Sequence, residues 1–216
     1  MLKTPLTIAI DGTASSGKGT LSKMLASYFS LPYLNTGAIY RAVAFKIYQQ
    51  DISSNITIDN FFLHLDYLCA NLEVSHFENP AIFNENIGSI ASIIAKNIQL
   101  RQYLLYWQQQ FIVNAITSHN GVILDGRDTT TVIYPKAKHK FFVTANLNIR
   151  AERRQKQLSN LTFSDVFNQL KQRDLNDFNR NIAPLKVASD AFIIDNSHLD
   201  INHSFALVLS LINYTL

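Results

Sequence analysis

The chain has a single cysteine, Cys69, which excludes an internal disulfide framework and points to a reducing compartment. Within Leu68-Cys69-Ala70 that thiol reads as a small buried hydrophobe. Long hydrophobic runs are missing. The N-terminal stretch Leu6-Thr7-Ile8-Ala9-Ile10 gives way at once to Asp11 and Gly12, too short for a signal peptide or a membrane span. Internal repeats, coiled-coil heptads and low-complexity tails are absent as well. Charge is scarce, 16% of residues with a formal balance of +3, so net charge demands neither nucleic acid nor a membrane as partner. The six histidines form no compact zinc-ligand arrangement with Cys69, so no protein-ligated metal is expected. What remains is the expectation of a soluble, cytoplasmic monomer. Its 47% hydrophobic content argues for a folded core over disorder.

Five short apolar runs read as strands: residues 6–10, 31–34, 122–124, 141–144 and 192–194. Helical patterns lie between them. Leu21, Met24, Leu25, Tyr28 and Phe29 make one stripe; Ile39, Val43, Ala44 and Ile47 make a second. Further helices are expected over 59–70, over 86–118 with a break near Asn97 to Gln99, and over 146–158. The last two span 162–180, stopped by Pro184, and the stripe from Phe205 to Ile212. Strands alternating with helices predict an α/β fold, a five-stranded parallel sheet flanked by helices on both faces. Residues 72–77 alternate apolar and polar side chains and are expected to form an isolated edge strand. The length suits one unit, residues 1–216, carrying a small insert over about 55–95.

The strongest local signal is Gly12-Thr13-Ala14-Ser15-Ser16-Gly17-Lys18-Gly19-Thr20, set between the first strand and the first helix. Glycines allow tight turning, backbone N–H groups can face phosphate oxygens, and the helix N-terminus favours negative charge. Lys18 can then pair with the β/γ-phosphates. The usual phosphate-loop pattern has Ser or Thr directly after the lysine, whereas here Gly19 intervenes and Thr20 follows. A guanine-reading Asn-Lys-x-Asp pattern is absent. The loop alone suits an ATPase, a GTPase or a kinase, so a second substrate site has to decide.

Two basic clusters offer one. Arg173 and Asp177 are a helical turn apart and Arg180 lies three residues on, so one helix can present all three on a common face. Guanidinium groups suit phosphate, and carboxylates accept from amino or ribose hydroxyl groups. A solvated salt-bridge network would have the same spacing. Arg127-Asp128 follows the 122–124 strand, where side chains reach the crevice at the carboxyl edge of a parallel sheet. A simple pair across a turn is the alternative there.

Taken together, these blocks give the chain a resemblance to the bacterial cytidylate kinases, within the P-loop nucleoside monophosphate kinases. It is carried by Ile10-Asp11-Gly12 through Thr20, Thr36-Gly37-Ala38-Ile39-Tyr40-Arg41, Asp125-Gly126-Arg127-Asp128, Arg173-Asp174, and Asn179-Arg180 followed by Ala183-Pro184-Leu185. The resemblance implies a nucleoside monophosphate kinase fold with a substrate-binding insert and a mobile lid over about 146–162. It implies transfer of the terminal phosphate of ATP, with Mg2+, to CMP or dCMP. The acceptor pocket it implies consists of Thr36, Arg41, Arg101, Arg127, Asp128, Arg173, Asp177 and Arg180. Thr36, Asp128 and Arg180 would read the base edge and Asp177 the sugar, with Arg41, Arg101, Arg127 and Arg173 around the phosphate. Arg153 and Arg154, beside Arg150, would close over the donor as lid arginines.

Asn35 stands where the family typically has Asp, Thr130 where a glycine is frequent, and the insert is short. These departures are expected to alter magnesium handling, rate or substrate preference while leaving Lys18 and the main arginines. Asp11 and Asp125 are candidates for organising magnesium-associated water or the phosphate loop. Because an ionised phosphate oxygen can itself attack, no protein nucleophile or side-chain base is required. Competing expectations are a UMP or shikimate-type kinase and a nucleotide-responsive protein with little catalysis.

Overall fold

A computed structural model describes residues 4–49, 69, 72–158 and 161–215. It divides into two compact units, one made of residues 1–34 and 112–216, the other of residues 35–111.

The first unit is built on five strands: β1 (Leu6–Gly12), β2 (Tyr33–Asn35), β3 (Gly121–Gly126), β4 (His139–Thr144) and β5 (Phe192–Asp195). Their order is β2-β3-β1-β4-β5. β1 runs parallel to both neighbours, with Asp11 opposite Gly126 and Gly12 opposite Val143. β4 and β5 are parallel as well. Central strands of a sheet covered on both faces must be apolar throughout, and β1, β3 and β4 are buried along almost all their length. Ile8, Ile10, Ile123, Phe141 and Val143 pack with Leu21 and Leu25 of α1 (Lys18–Phe29) and with Val208 and Ile212 of the C-terminal helix (Ile201–Thr215). Each such side chain contributes about 1.5–3 kcal/mol on burial.

The second unit begins with α2 (Thr36–Gln49) and continues with α3 (Val74–Glu78), a 3-10 turn (Pro80–Phe83) and α4 (Glu85–Ile94). α5 (Ile98–His119) starts in this unit. Ile39, Val43, Ile82, Ile87, Leu100 and Leu104 form its interior. Trp107 stands edge-on to Phe77, ring centroids 5.2 Å apart, and its Nε1–H donates to the Leu72 carbonyl at 3.2 Å. The break between α4 and α5 falls where the sequence places it, because Asn97 Oδ1 accepts from Leu100 N–H at 2.8 Å and caps a new helix.

The strand expected over 72–77 is a helix instead. The Glu73 carboxylate accepts from the backbone of His76 while His76 Nδ1 accepts from Glu73 N–H, a reciprocal cap that starts α3 despite the alternating pattern. The helix expected over 59–70 lies outside the described residues except for Cys69, which is helical and buried.

In the first unit, β3 is followed by a single π-helical turn (Thr129–Ile133) and β4 by α6 (Leu147–Gln155). α7 (Phe163–Asn179) opens with a capping box in which Thr162 and Asp165 exchange hydrogen bonds. The C-terminal helix is α8. Among the described residues no helix is long and apolar enough to cross a membrane.

Candidate active site

The loop joining β1 to α1 is shaped by its surroundings. A Cβ on Gly12 would sit 1.9 Å from the Val143 carbonyl oxygen, so only glycine lets β1 and β4 approach here. Ser15 and Gly17 adopt left-handed backbone, with φ of 56° and 84°, which turns successive N–H groups inward. The first intrahelical bond of α1 is Leu21 N–H to Gly17 O at 3.1 Å, so the N–H groups of Lys18, Gly19 and Thr20 precede it. Ser16 Oγ is buried with no hydrogen-bond partner, while the Ser16 carbonyl accepts from Asn196 Nδ2 at 2.7 Å. These donors and an orphaned hydroxyl fit a phosphate chain.

Lys18 is buried at the head of α1, its Nζ 3.9 Å from Asp125 Oδ1. Burial lowers its pKa to about 8, helped by the positive charges of Arg127 and Arg173 and opposed by Asp125 and Asp177. Burial pushes the Asp125 carboxyl up, against the pull of Lys18, Arg127 and the Tyr33 hydroxyl, which donates to Asp125 Oδ2 at 3.1 Å. A lysine held this close to neutrality gains most from an arriving polyanion.

A second cluster faces the same lysine. Arg127 Nε donates to Asp177 Oδ2 at 2.8 Å and Nη1 donates to the Gly126 carbonyl at 3.2 Å. Burial opposes the guanidinium charge, but Asp177 outweighs it and keeps the pKa raised. Asp177 in turn resists burial and stays acidic because Arg127, Arg173 and Arg180 surround it. Arg180 Nη2 lies 3.7 Å from Asp128 Oδ2 and Nη1 lies 3.9 Å from Asp177 Oδ1. The expectation of three side chains on one helical face needs correcting. Arg173 and Asp177 lie on α7, but Arg180 is the residue after it, in extended conformation. It folds back because Leu185 N–H donates to the Asp177 carbonyl at 2.8 Å and Arg180 Nε donates to Ala183 O. Arg173 itself is exposed.

The three arginines of α6 separate. Arg150 is buried and grips the phosphate loop: Nη1 donates to the Ala14 carbonyl at 2.9 Å and to Asp174 Oδ2 at 2.6 Å. Asp174 Oδ1 accepts from Ala14 N–H at 2.9 Å, so both ends of one loop residue are held by an ion pair from α6 and α7. Arg153 donates to the Asn196 and Leu199 carbonyls at 2.8 and 3.2 Å, bracing the segment that also supports Ser16. Arg154 is half-buried and donates to Gln157 Oε1 at 3.3 Å. The ion pair of Arg150 with Asp174 and the support from Asn196 escaped the sequence reading. Only the adjacency of Asp174 to Arg173 hinted at either.

Thr36, Arg41 and Arg101 belong to the second unit. Thr36 is buried at the start of α2, where the neighbouring Asn35 Oδ1 accepts from Ala38 N–H at 3.1 Å, so that the Asn35 amide acts as a helix cap. Arg41 donates to the Ile82 and Asn84 carbonyls at 3.0 and 3.2 Å, over the Phe83 ring. Arg101 Nε donates to the Ala95 carbonyl at 2.6 Å, with its guanidinium 5.5 Å from the Tyr40 ring centroid. No group of three or more acidic, His or Cys side chains able to hold a metal occurs among the described residues.

Residues 8–214 match the protein family described as cytidylate kinase. The chain is 37% identical over 209 residues to a cytidylate kinase of Bradyrhizobium sp. strain ORS 278, covering 95% of this chain and 94% of that one. It is 37% identical over 215 residues to a cytidylate kinase of Xanthobacter autotrophicus, covering 96% and 97%. Among solved structures, an uncharacterised protein of Eubacterium ventriosum superposes with a TM-score of 0.57 at 13% identity, over 96% of this chain and 98% of that one. A gluconokinase of Sinorhizobium meliloti reaches 0.50 at 12% identity, over 98% and 96%. At these identities the two structures speak for the fold alone. The sequence matches reach further, and on them the chain belongs to the cytidylate kinase family.

Proposed function

We propose that the protein transfers the γ-phosphoryl group of Mg-ATP to CMP and dCMP, giving CDP or dCDP and ADP. The observation that carries the reading is the company of Lys18. A phosphate loop delivers this buried amine into the field of Arg127 and Arg173, and Arg127 is aimed by Asp177. One cation cluster can therefore serve two anions, which is what in-line transfer between two nucleotides requires.

The phosphate loop from Gly12 to Thr20 holds the donor phosphates through its N–H groups and the Ser16 hydroxyl, and Lys18 neutralises charge on the transferred group. Magnesium arrives with ATP as part of the substrate. The acceptor's phosphate is met by Arg127 and Arg173. Asp128 and Arg180 read the cytosine edge, and Asp177 receives the sugar hydroxyl while fixing Arg127. Thr36, Arg41 and Arg101 enter the reading through the family resemblance, Thr36 toward the base and the two arginines toward the phosphate. Residues 146–162 act as a lid with Arg153 and Arg154, and residues 55–95 as the acceptor-side insert. The enzyme works as a cytoplasmic monomer, with neither nucleic acid nor membrane as partner.

The test is turnover of the purified protein with Mg-ATP and, in turn, CMP, dCMP, UMP, AMP and shikimate, with products identified directly. CDP and dCDP should form with the highest kcat/KM. Faster turnover of another acceptor, or ADP release without a phosphorylated product, would refute the reading.

A further inference from the structure

Asp11 is the penultimate residue of β1, directly before the phosphate loop, and is fully buried. Its carboxylate accepts four hydrogen bonds. Oδ1 receives Thr129 N–H at 2.9 Å and Thr129 Oγ1–H at 2.7 Å; Oδ2 receives Thr130 N–H at 2.8 Å and Thr130 Oγ1–H at 2.6 Å. Both threonines are buried too. A carboxylate offers about four acceptor sites, so this one has none left for a metal-bound water.

Arg127 and Asp128 occupy the short span between two points tied to Asp11. Upstream, Gly126 is its partner in the parallel pairing of β1 and β3. Downstream, Thr129 and Thr130 sit on its carboxylate and open the π-helical turn, closed by Ile133 N–H to Asp128 O at 3.0 Å and Tyr134 N–H to Thr129 O at 2.9 Å. A two-residue span fixed at both ends has little freedom, and from it Arg127 reaches Asp177 while Asp128 approaches Arg180.

From this geometry we infer that Asp11 is a positioning residue for the acceptor nucleotide, holding the Arg127-Asp128 turn in register with the phosphate loop through the paired hydroxyls of Thr129 and Thr130. The inference rests on the proposed acceptor role of Arg127 and Asp128. It assigns Asp11 away from the magnesium side, and it gives Thr130 a purpose: a glycine there would lack one of the four donors.

Three variants separate positioning from general stability. Replacing both threonines with valine keeps β-branched shape and backbone donors but removes both hydroxyls. Replacing both with serine keeps the hydroxyls, and Asp11→Asn removes the charge. Steady-state constants for CMP and ATP and half-saturation by Mg2+ are measured on each. The valine pair should lower kcat/KM for CMP by about tenfold and Asp11→Asn by about a hundredfold, with KM for ATP and magnesium half-saturation within twofold of the parent. The serine pair should restore CMP kinetics. CMP constants within twofold of the parent in the valine pair, equal losses toward ATP and CMP, or a magnesium shift with CMP unchanged would each overturn the inference. Should the parent not turn over CMP, the acceptor reading falls separately. The clamp is then read from amide exchange over residues 127–133, which the valine pair must accelerate at least tenfold; unchanged exchange overturns it.

Discussion

Lys18 costs the folded protein stability at neutral pH, and the size of that cost can be worked out. Its pKa falls from the ordinary 10.5 to about 8, with burial as the leading cause and Arg127 and Arg173 adding to it. Between those two values the unfolded chain holds a proton that the folded chain has released, so stability must rise with pH across that window. Each pH unit is worth about 1.4 kcal/mol, and the whole interval about 3 kcal/mol. Below pH 8 the cost is present in full, and above 10.5 it is gone. Lys18→Met removes the titrating group while keeping an unbranched side chain. Urea unfolding followed by circular dichroism should be run on both proteins from pH 7 to 10.5. The parent should gain about 3 kcal/mol relative to the variant over the window, other alkaline groups cancelling in the difference. In the kinetics, kcat/KM for ATP should fall about tenfold per pH unit above 8. The kcat profile should break at higher pH, because bound phosphate raises the lysine's pKa. Parallel stability curves for the two proteins would refute the reasoning.

Arg150→Met should leave the Asp174 carboxylate buried without its cation, lowering stability by about 3 kcal/mol and weakening ATP binding measured by calorimetry. Asp177→Asn should release Arg127, costing about 1–3 kcal/mol in denaturant unfolding and raising KM for CMP more than KM for ATP. Gly12→Ala should force β1 away from the Val143 carbonyl, with a loss of about 3 kcal/mol or more in thermal unfolding and loss of turnover.

The central strands were legible because they are buried on both faces and therefore read as short apolar runs, as Ile8 to Ile10 and Val122 to Leu124 do. The phosphate loop was legible because its chemistry is local: nine consecutive residues carry the turn, the lysine and the helix start. Residues 72–77 misled because a reciprocal cap between Glu73 and His76 outweighed an alternation of only a few side chains. Arg180 was misplaced by one residue of helix, which its bond to Ala183 O turns into a change of direction. Neither the four bonds to Asp11 nor the grip of Arg150 and Asp174 on Ala14 could be read from spacing. They join residues 118, 119, 136 and 160 positions apart, and only the completed sheet brings those together.

The strand order carries a consequence for biosynthesis. Both neighbours of β1, β3 and β4, are encoded more than a hundred residues after it, and Asn196, which supports Ser16, later still. Closing loops of that length before any strand pairing rewards them is slow. During translation the loop after β1 is therefore made well before the strands and the asparagine that hold it, and it takes its shape only after them.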